Sequence, residues 1–303
     1  MEKKFTGIMP AIVTPFCEDN KTINIKSVEK LVDLFLEQGA NGFYVLGGTG
    51  EGTILDREQR ETMCEAVVKY TAKRKPVINH VCAFNVREAI ELAKHAERAG
   101  ADAIASIPPL LYGYGDDGIY EYYKALANSV SLPVMVYYQP SAGRDMSAEL
   151  IARIFEIDNV TGVKWSSYNY FELMKLKDMT HGEMNIINGP DELLISGLMA
   201  GADGGIGTTY NMMLPEFVKI YDYFTAGQLD LARETQFKVN RVIDMLLKYS
   251  GSNNFDLLCA VKYAMGCLGI DVGGPTYPMK TIGAEEGKQL EMKLKEFGWP
   301  LNF

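Results

Sequence analysis

Gly39-Ala40-Asn41-Gly42-Phe43-Tyr44-Val45-Leu46 reads as a helix stop, a turn and a short apolar strand. Glycine lacks a Cβ and takes the left-handed conformation that ends a helix, and asparagine supports the turn that follows. The same order returns at Gly100-Ala101-Asp102-Ala103 and at Gly201-Ala202-Asp203-Gly204. Around these junctions lie further apolar runs, at Ile8–Val13 and beginning at Val77, Ala103, Val134, Val160, Asn185 and Gly204. Helical patterns separate them, over Ile25–Gln38, Asp56–Ala72 and Arg87–Arg98, the last with Ile90, Ala93 and Ala96 on one face and charges on the other. Short strands alternating with helices predict βαβ units and a parallel sheet. An open doubly wound sheet would reuse the same junction. Eight strand candidates between Ile8 and Gly207 favour an α/β chain folded as a (β/α)₈ TIM barrel. Past Gly207 the pattern is helical, over Pro215–Thr225, Leu229–Tyr249, Phe255–Leu268 and Glu285–Phe297. The expected organisation is therefore a barrel over 1–225 and a C-terminal helical extension over 226–303, in one structural unit.

Composition narrows the function. The 303 residues carry 30 Lys+Arg against 39 Asp+Glu, a formal charge of −9, and 47% are hydrophobic, which suits a packed core and not a disordered chain. The acidic balance argues against nucleic acid and anionic membrane as partners, since both need a positive footprint. The densest basic run, Lys73-Arg74-Lys75, ends an amphipathic segment and reads as a solvated helix terminus. No apolar run approaches the ~20 residues of a membrane span. Met1-Glu2-Lys3-Lys4-Phe5 lacks the apolar core of a secretory leader. Five scattered cysteines (Cys17, Cys64, Cys82, Cys259 and Cys267) without a Cys-x-x-Cys spacing suggest buried, reduced thiols and a cytoplasmic setting. Three histidines without ligand spacing make a zinc site unexpected, so no metal is predicted.

In such a barrel, chemistry sits at the C-terminal ends of strands. Tyr137 ends Val134-Met135-Val136-Tyr137, and Lys164 follows Val160-Thr161-Gly162-Val163. A lysine in a buried strand loses hydration, which lowers its pKa and frees the amine to attack a carbonyl as a Schiff base. A neighbouring tyrosine could relay the proton. The competing reading has Lys164 snorkelling to the mouth to meet a carboxylate. Lys262, in Leu257-Leu258-Cys259-Ala260-Val261-Lys262, is a rival placed on a tail helix, where a lysine needs no special purpose. The loop Gly47-Gly48-Thr49-Gly50-Glu51-Gly52 could present amides and the Thr49 hydroxyl to an anion, although it lacks the order of a nucleotide P-loop. Asn188-Gly189-Pro190-Asp191-Glu192 places two carboxylates at a helix start, where they would cap the helix or bind substrate hydroxyls.

Gly47-Gly48-Thr49-Gly50-Glu51, then Tyr137-x-x-Pro140, then Gly162-Val163-Lys164, resembles the N-acetylneuraminate lyase and dihydrodipicolinate synthase family of pyruvate-dependent class I aldolases, over nearly the whole chain. Asn188–Glu192 and the run from Ser196 to Asn211 look like the sialic acid lyase branch of that family. The resemblance implies a homotetrameric barrel without metal or organic cofactor, acting on a keto acid or sugar acid. It implies that Lys164 forms the Schiff base and that Tyr137 moves the proton. Gly48 and Thr49 would hold the carboxylate, and Gly189, Asp191, Glu192 and Thr208 the polyhydroxy chain, with Ser166 lining the same pocket. The implied activity is reversible cleavage of N-acetylneuraminate to N-acetylmannosamine and pyruvate. A sibling aldolase or dehydratase for another 2-keto-3-deoxy sugar acid is the second reading, and an inactive keto-acid-binding barrel the third.

Several positions depart from the family pattern. Gly48 stands where Ser or Thr is usual, removing one hydroxyl of the relay. Leu111 stands where a tyrosine is frequent, with Tyr112 and Tyr114 nearby as substitutes. Gln139 replaces a small apolar residue, and Ser141-Ala142-Gly143-Arg144 is one residue short. The arginine that marks the dihydrodipicolinate synthase branch would fall near Ala142, with Arg144 as a shifted candidate.

Overall fold

A computed structural model describes residues 5–110, 112–142, 144–250 and 257–298. Eight parallel strands alternate with helices: β1 (Gly7–Pro10), α1 (Ile25–Glu37), β2 (Phe43–Val45), α2 (Arg57–Thr71), β3 (Val77–His80), α3 (Val86–Ala99), β4 (Ala103–Ser106), α4 (Asp116–Ala127), β5 (Val134–Tyr138), α5 (Ala148–Phe155), β6 (Val160–Trp165), α6 (Tyr170–Met179), β7 (Asn185–Asn188), α7 (Leu194–Met199), β8 (Gly204–Gly207) and α8 (Tyr210–Thr225). The strands pair in the order β1-β8-β7-β6-β5-β4-β3-β2, and a parallel bridge between Ala11 and Tyr44 brings β1 to β2. The sheet closes as a (β/α)₈ barrel, as the eight apolar runs predict. Among the described residues no helix is long and apolar enough to cross a membrane.

The repeated junction explains how the strands start in register. Gly39, Gly100 and Gly201 all have φ near +90 to +102°. The next polar residue then clasps the neighbouring strand. Asn41 donates its amide to Ile8 O and accepts from Ile8 N on Oδ1, at 2.7 and 2.8 Å. Asp102 does the same with Val77, at 2.9 and 3.0 Å, and Asp203 with Ile186, at 2.7 and 2.9 Å. Each clasp satisfies both backbone groups where a ladder would otherwise fray.

Two apolar layers follow from the strand period of two. Outward residues such as Val134, Val136, Tyr138, Val163 and Trp165 pack against the helices. Inward residues fill the barrel, among them Met9, Tyr44, Ile78, Ala103, Met135, Tyr137, Ile187 and Ile206, with Phe5. The tail continues as α9 (Leu229–Tyr249), α10 (Leu257–Cys267) and α11 (Ala284–Glu296), with α9 and α10 packed on α8.

Two local expectations change, and one helix boundary falls outside the described residues. The helix expected from Pro215 begins at Tyr210 and runs through a kink at Met213 (φ −135°, ψ 28°), because a proline in the first turn beyond a kink sacrifices little. Phe255 lies outside the described residues, so α10 is described from Leu257. All five cysteines are free, but only Cys64, Cys82 and Cys259 are buried, Cys267 being exposed and Cys17 intermediate.

Candidate active site

Lys164 reaches the interior through an irregularity in the sheet. Val160 pairs with Val134, but Gly162, not Thr161, pairs with Met135, so β6 carries one extra residue there. Val160 faces outward, and simple alternation would then turn Lys164 toward the helices. The bulge at Thr161 reverses the sense, so Lys164 lies beside Tyr137 and both point inward. Bulges next to active sites re-aim side chains in this way.

Lys164 is 5% exposed. Its Nζ stands 4.4 Å from the centre of the Tyr44 ring and 4.3 Å from that of Tyr137. No carboxylate among the described residues lies within ion-pair distance of it, so the snorkelling alternative does not hold. Burial pushes the amine down to about 7, and the more distant charge of Asp191 opposes the shift. Burial pushes the Tyr137 phenol up to about 12, while the Ser166 hydroxyl pulls it back. The faces of both rings favour a cation at Nζ.

Two further aromatic groups line this floor, and the sequence reading did not single either out for chemistry. Tyr44 meets Tyr137 edge to face at 5.8 Å, and His80 meets Tyr137 at 5.7 Å. His80 is locked by Nδ1 against Leu46 O at 3.0 Å and by the Ile107 amide, which donates to Nε2 at 3.4 Å. Burial and the nearby Arg60 push its imidazole down to about 3, so it stays neutral. The inward alternation of β2 and β3 was the signal that marks both.

Asp191 sits in a short 3₁₀ turn, Asp191–Leu193, and caps no helix of its own. Instead its Oδ2 accepts from Thr209 N and Thr209 Oγ1, both at 2.6 Å, at the start of α8. The capping expectation is thus corrected: the turn is too short to need the carboxylate, which crosses to the next βα loop. Burial pushes Asp191 up to about 6, against the two Thr209 hydrogen bonds. Its position depends on Gly207, because a Cβ there would overlap Asp191 Oδ1 and the Tyr210 ring. Gly189 plays the matching part opposite, where a Cβ would overlap Ser166 Oγ. Glu192 is partly exposed and accepts from Tyr168 OH at 2.6 Å.

The glycine-rich loop closes the ring of candidates. Thr49 Oγ1 and Thr208 Oγ1 are 2.6 Å apart, which ties the loop after β2 to the loop after β8. Within it Leu46 and Glu51 both have positive φ, and a Cβ at Gly52 would overlap Leu46 O. Gly48 O accepts from Glu51 N at 3.1 Å, while the amides of Gly48 and Thr49 donate to no group among the described residues. Lys164, Tyr137, Ser166, Gly189, Asp191, Thr208 and Thr49 therefore form a connected set, and Glu192 stands at its outer side.

Lys262 is not a second reactive amine. Its Nζ is consumed by Glu51 at 2.6 Å, Thr14 O at 2.9 Å and Gly274 O at 3.0 Å. Arg144 bonds Asp116 at 2.7 Å and Tyr114 O at 2.6 Å, so it is engaged at the start of α4. Tyr112 and Tyr114 are exposed and touch each other edge to face. Leu111 and Gly143 lie outside the described residues. Among the described residues no group of three His, Cys, Asp or Glu side chains converges as a metal site.

Residues 4–297 match the model of the Dihydrodipicolinate synthetase family. The chain is 32% identical to an N-acetylneuraminate lyase of Rhizobium meliloti (strain 1021) over 92% of its length and 91% of that protein. It is also 32% identical to a 4-hydroxy-tetrahydrodipicolinate synthase of Archaeoglobus fulgidus, over 96% of its length and 98% of that protein. Among solved structures, a sialic acid aldolase of Ruminococcus gnavus superposes with a TM-score of 0.90 at 29% identity, covering 98% of this chain and 99% of that one.

Proposed function

The chain belongs to the dihydrodipicolinate synthetase family of class I aldolases, and from that footing we propose that it cleaves N-acetylneuraminate to N-acetylmannosamine and pyruvate through a Schiff base on Lys164. The observation that carries this reading is the lysine itself: buried, with no counter-carboxylate in reach among the described residues, and held between two tyrosine rings. Near neutral pH about half of such amines are unprotonated, against roughly one in three thousand for an ordinary lysine. The neutral Nζ attacks C2 of the open-chain keto acid, and the Tyr137 phenol gives its proton to the departing hydroxyl, so water leaves as the iminium forms and Tyr137 remains as phenolate. That new positive charge beside Tyr137 lowers the cost of ionising the phenol. Tyr137 Oη accepts the C4 hydroxyl proton, the C3–C4 bond breaks, and its electrons pass to the iminium as an enamine. N-acetylmannosamine departs, C3 takes back a proton, and water releases pyruvate and the free amine.

The remaining candidates follow as binding roles. The amides of Gly48 and Thr49, which donate to no group among the described residues, receive the substrate carboxylate. Asp191 keeps Oδ1 for a sugar hydroxyl while Oδ2 is held by Thr209, and Thr208, Glu192, Ser166 and the space at Gly189 line the sugar chain. A homotetramer and a cytoplasmic location belong to the same reading.

The absence of a side-chain hydroxyl at Gly48 favours keeping a second reading, a sibling aldolase or dehydratase for another 2-keto-3-deoxy sugar acid. Pyruvate release measured across a panel of such acids separates them. The first reading requires N-acetylneuraminate to be the best substrate, and no turnover of it with turnover of another acid selects the second.

A further inference from the structure

Glu51 and Lys262 are 0% and 1% exposed and lie 2.6 Å apart, in the glycine-rich loop and on α10 respectively. A charge pair so far from water needs its polar atoms partnered, and here each ammonium proton and each carboxylate oxygen has a partner. Lys262 spends its three protons on three different segments: Glu51, Thr14 O after β1, and Gly274 O in the tail loop. The second oxygen of Glu51 accepts from Thr276 N at 2.6 Å. Phe16 lies beneath the ammonium, with its ring centre 4.6 Å away, and its own amide donates to Val272 O at 3.0 Å. A second route runs through Thr14, whose hydroxyl donates to Gly50 O at 2.6 Å.

These bonds converge on the segment that carries the Gly48 and Thr49 amides. Glu51 holds φ +60°, and Gly50 is pressed against the Leu46 backbone. Residues in the left-handed region persist where surroundings over-determine them, and Lys262 with Thr276 supplies that constraint. The tail thus grips the turn that carries these amides. We propose that Glu51 and Lys262 are positioning residues through which the C-terminal helical extension sets the anion-binding turn, so that the tail governs affinity for the keto acid's carboxylate more than the chemistry at Lys164. This rests on the reading that the turn receives that carboxylate.

The test compares KM and kcat for pyruvate in the condensation direction, with methyl pyruvate as the carboxylate-free control. Lys262→Met leaves Glu51 unpaired, and the double variant Glu51→Gln/Lys262→Met removes both charges while keeping a hydrogen-bond acceptor for Thr276. Thr14→Val cuts only the second route and is the variant that decides if Lys262→Met does not fold. The expected result is a rise of about tenfold or more in KM for pyruvate with Lys262→Met, and a smaller rise with Thr14→Val. kcat should change less than threefold, KM for methyl pyruvate should barely move, and the double variant should recover part of the loss. A folded variant that loses kcat with KM unchanged overturns the proposal, as does an equal loss for pyruvate and its ester. A wild type that pyruvate and borohydride leave unlabelled overturns the aldolase reading itself, whereas a labelled wild type with unaltered KM in both single variants overturns only the clamp.

Discussion

Replacing Lys164 with Met should make the protein more stable, and by an amount that depends on pH. The folded-state amine is pushed down to about 7, while the unfolded chain restores it to 10.5. Between those values the unfolded state holds a proton that the folded state lacks, so wild-type stability rises with pH across that window. Below pH 7 the lysine carries its full penalty, on the order of 5 kcal/mol, since each pH unit of displacement is worth about 1.4 kcal/mol. Above pH 10.5 the penalty is gone. Met fills a similar volume without a charge, so Lys164→Met should gain a few kcal/mol near pH 6 and lose that advantage by pH 10. Denaturant titration of both proteins at intervals from pH 6 to 10 measures the difference. Lys262 supplies an internal contrast, because Lys262→Met strands the Glu51 carboxylate and should destabilise by roughly 3–5 kcal/mol. A pH-independent difference for Lys164→Met, or a loss of stability near pH 6, would refute the reasoning.

Further expectations concern the rest of the site. Tyr137→Phe should lower kcat by roughly 10²–10⁴ while pyruvate still adds to Lys164, as rapid-quench trapping would show. Asp191→Asn removes a charge that favours the ammonium, so the pH at which Lys164 becomes reactive should move down, read from the rate of adduct formation against pH; movement upward would contradict the assignment. Gly207→Ala would push Asp191 aside and Gly189→Ala would crowd Ser166, so both should raise KM for the sugar acid with little effect on pyruvate adduct formation.

The barrel was readable because its repeat is chemical as well as hydrophobic: the glycine that ends a helix and the Asn or Asp that clasps the next strand recur at Asn41, Asp102 and Asp203. Lys164 was readable as a charge among apolar neighbours. Its facing Tyr137 was not readable from strand spacing, since counting from Val134 and Val160 pairs Tyr137 with Val163 and turns the lysine outward. A register slip of one residue exchanges the faces of a strand, and only the bulge at Thr161 restores the pairing. Asp191 was legible as a candidate but its partner was not, because Thr209 comes from another loop. Lys262 looked like a rival to Lys164 on apolar context alone. What separates them is Glu51, distant in sequence, beside one, and no carboxylate among the described residues within ion-pair distance of the other.

The most direct measurement is mass mapping of the protein after reduction with borohydride in the presence of pyruvate. A single reduced pyruvate adduct on the peptide containing Lys164, absent from Lys164→Met and absent from the peptide containing Lys262, is the predicted result. An unmodified Lys164, or an adduct carried by another lysine, would contradict it.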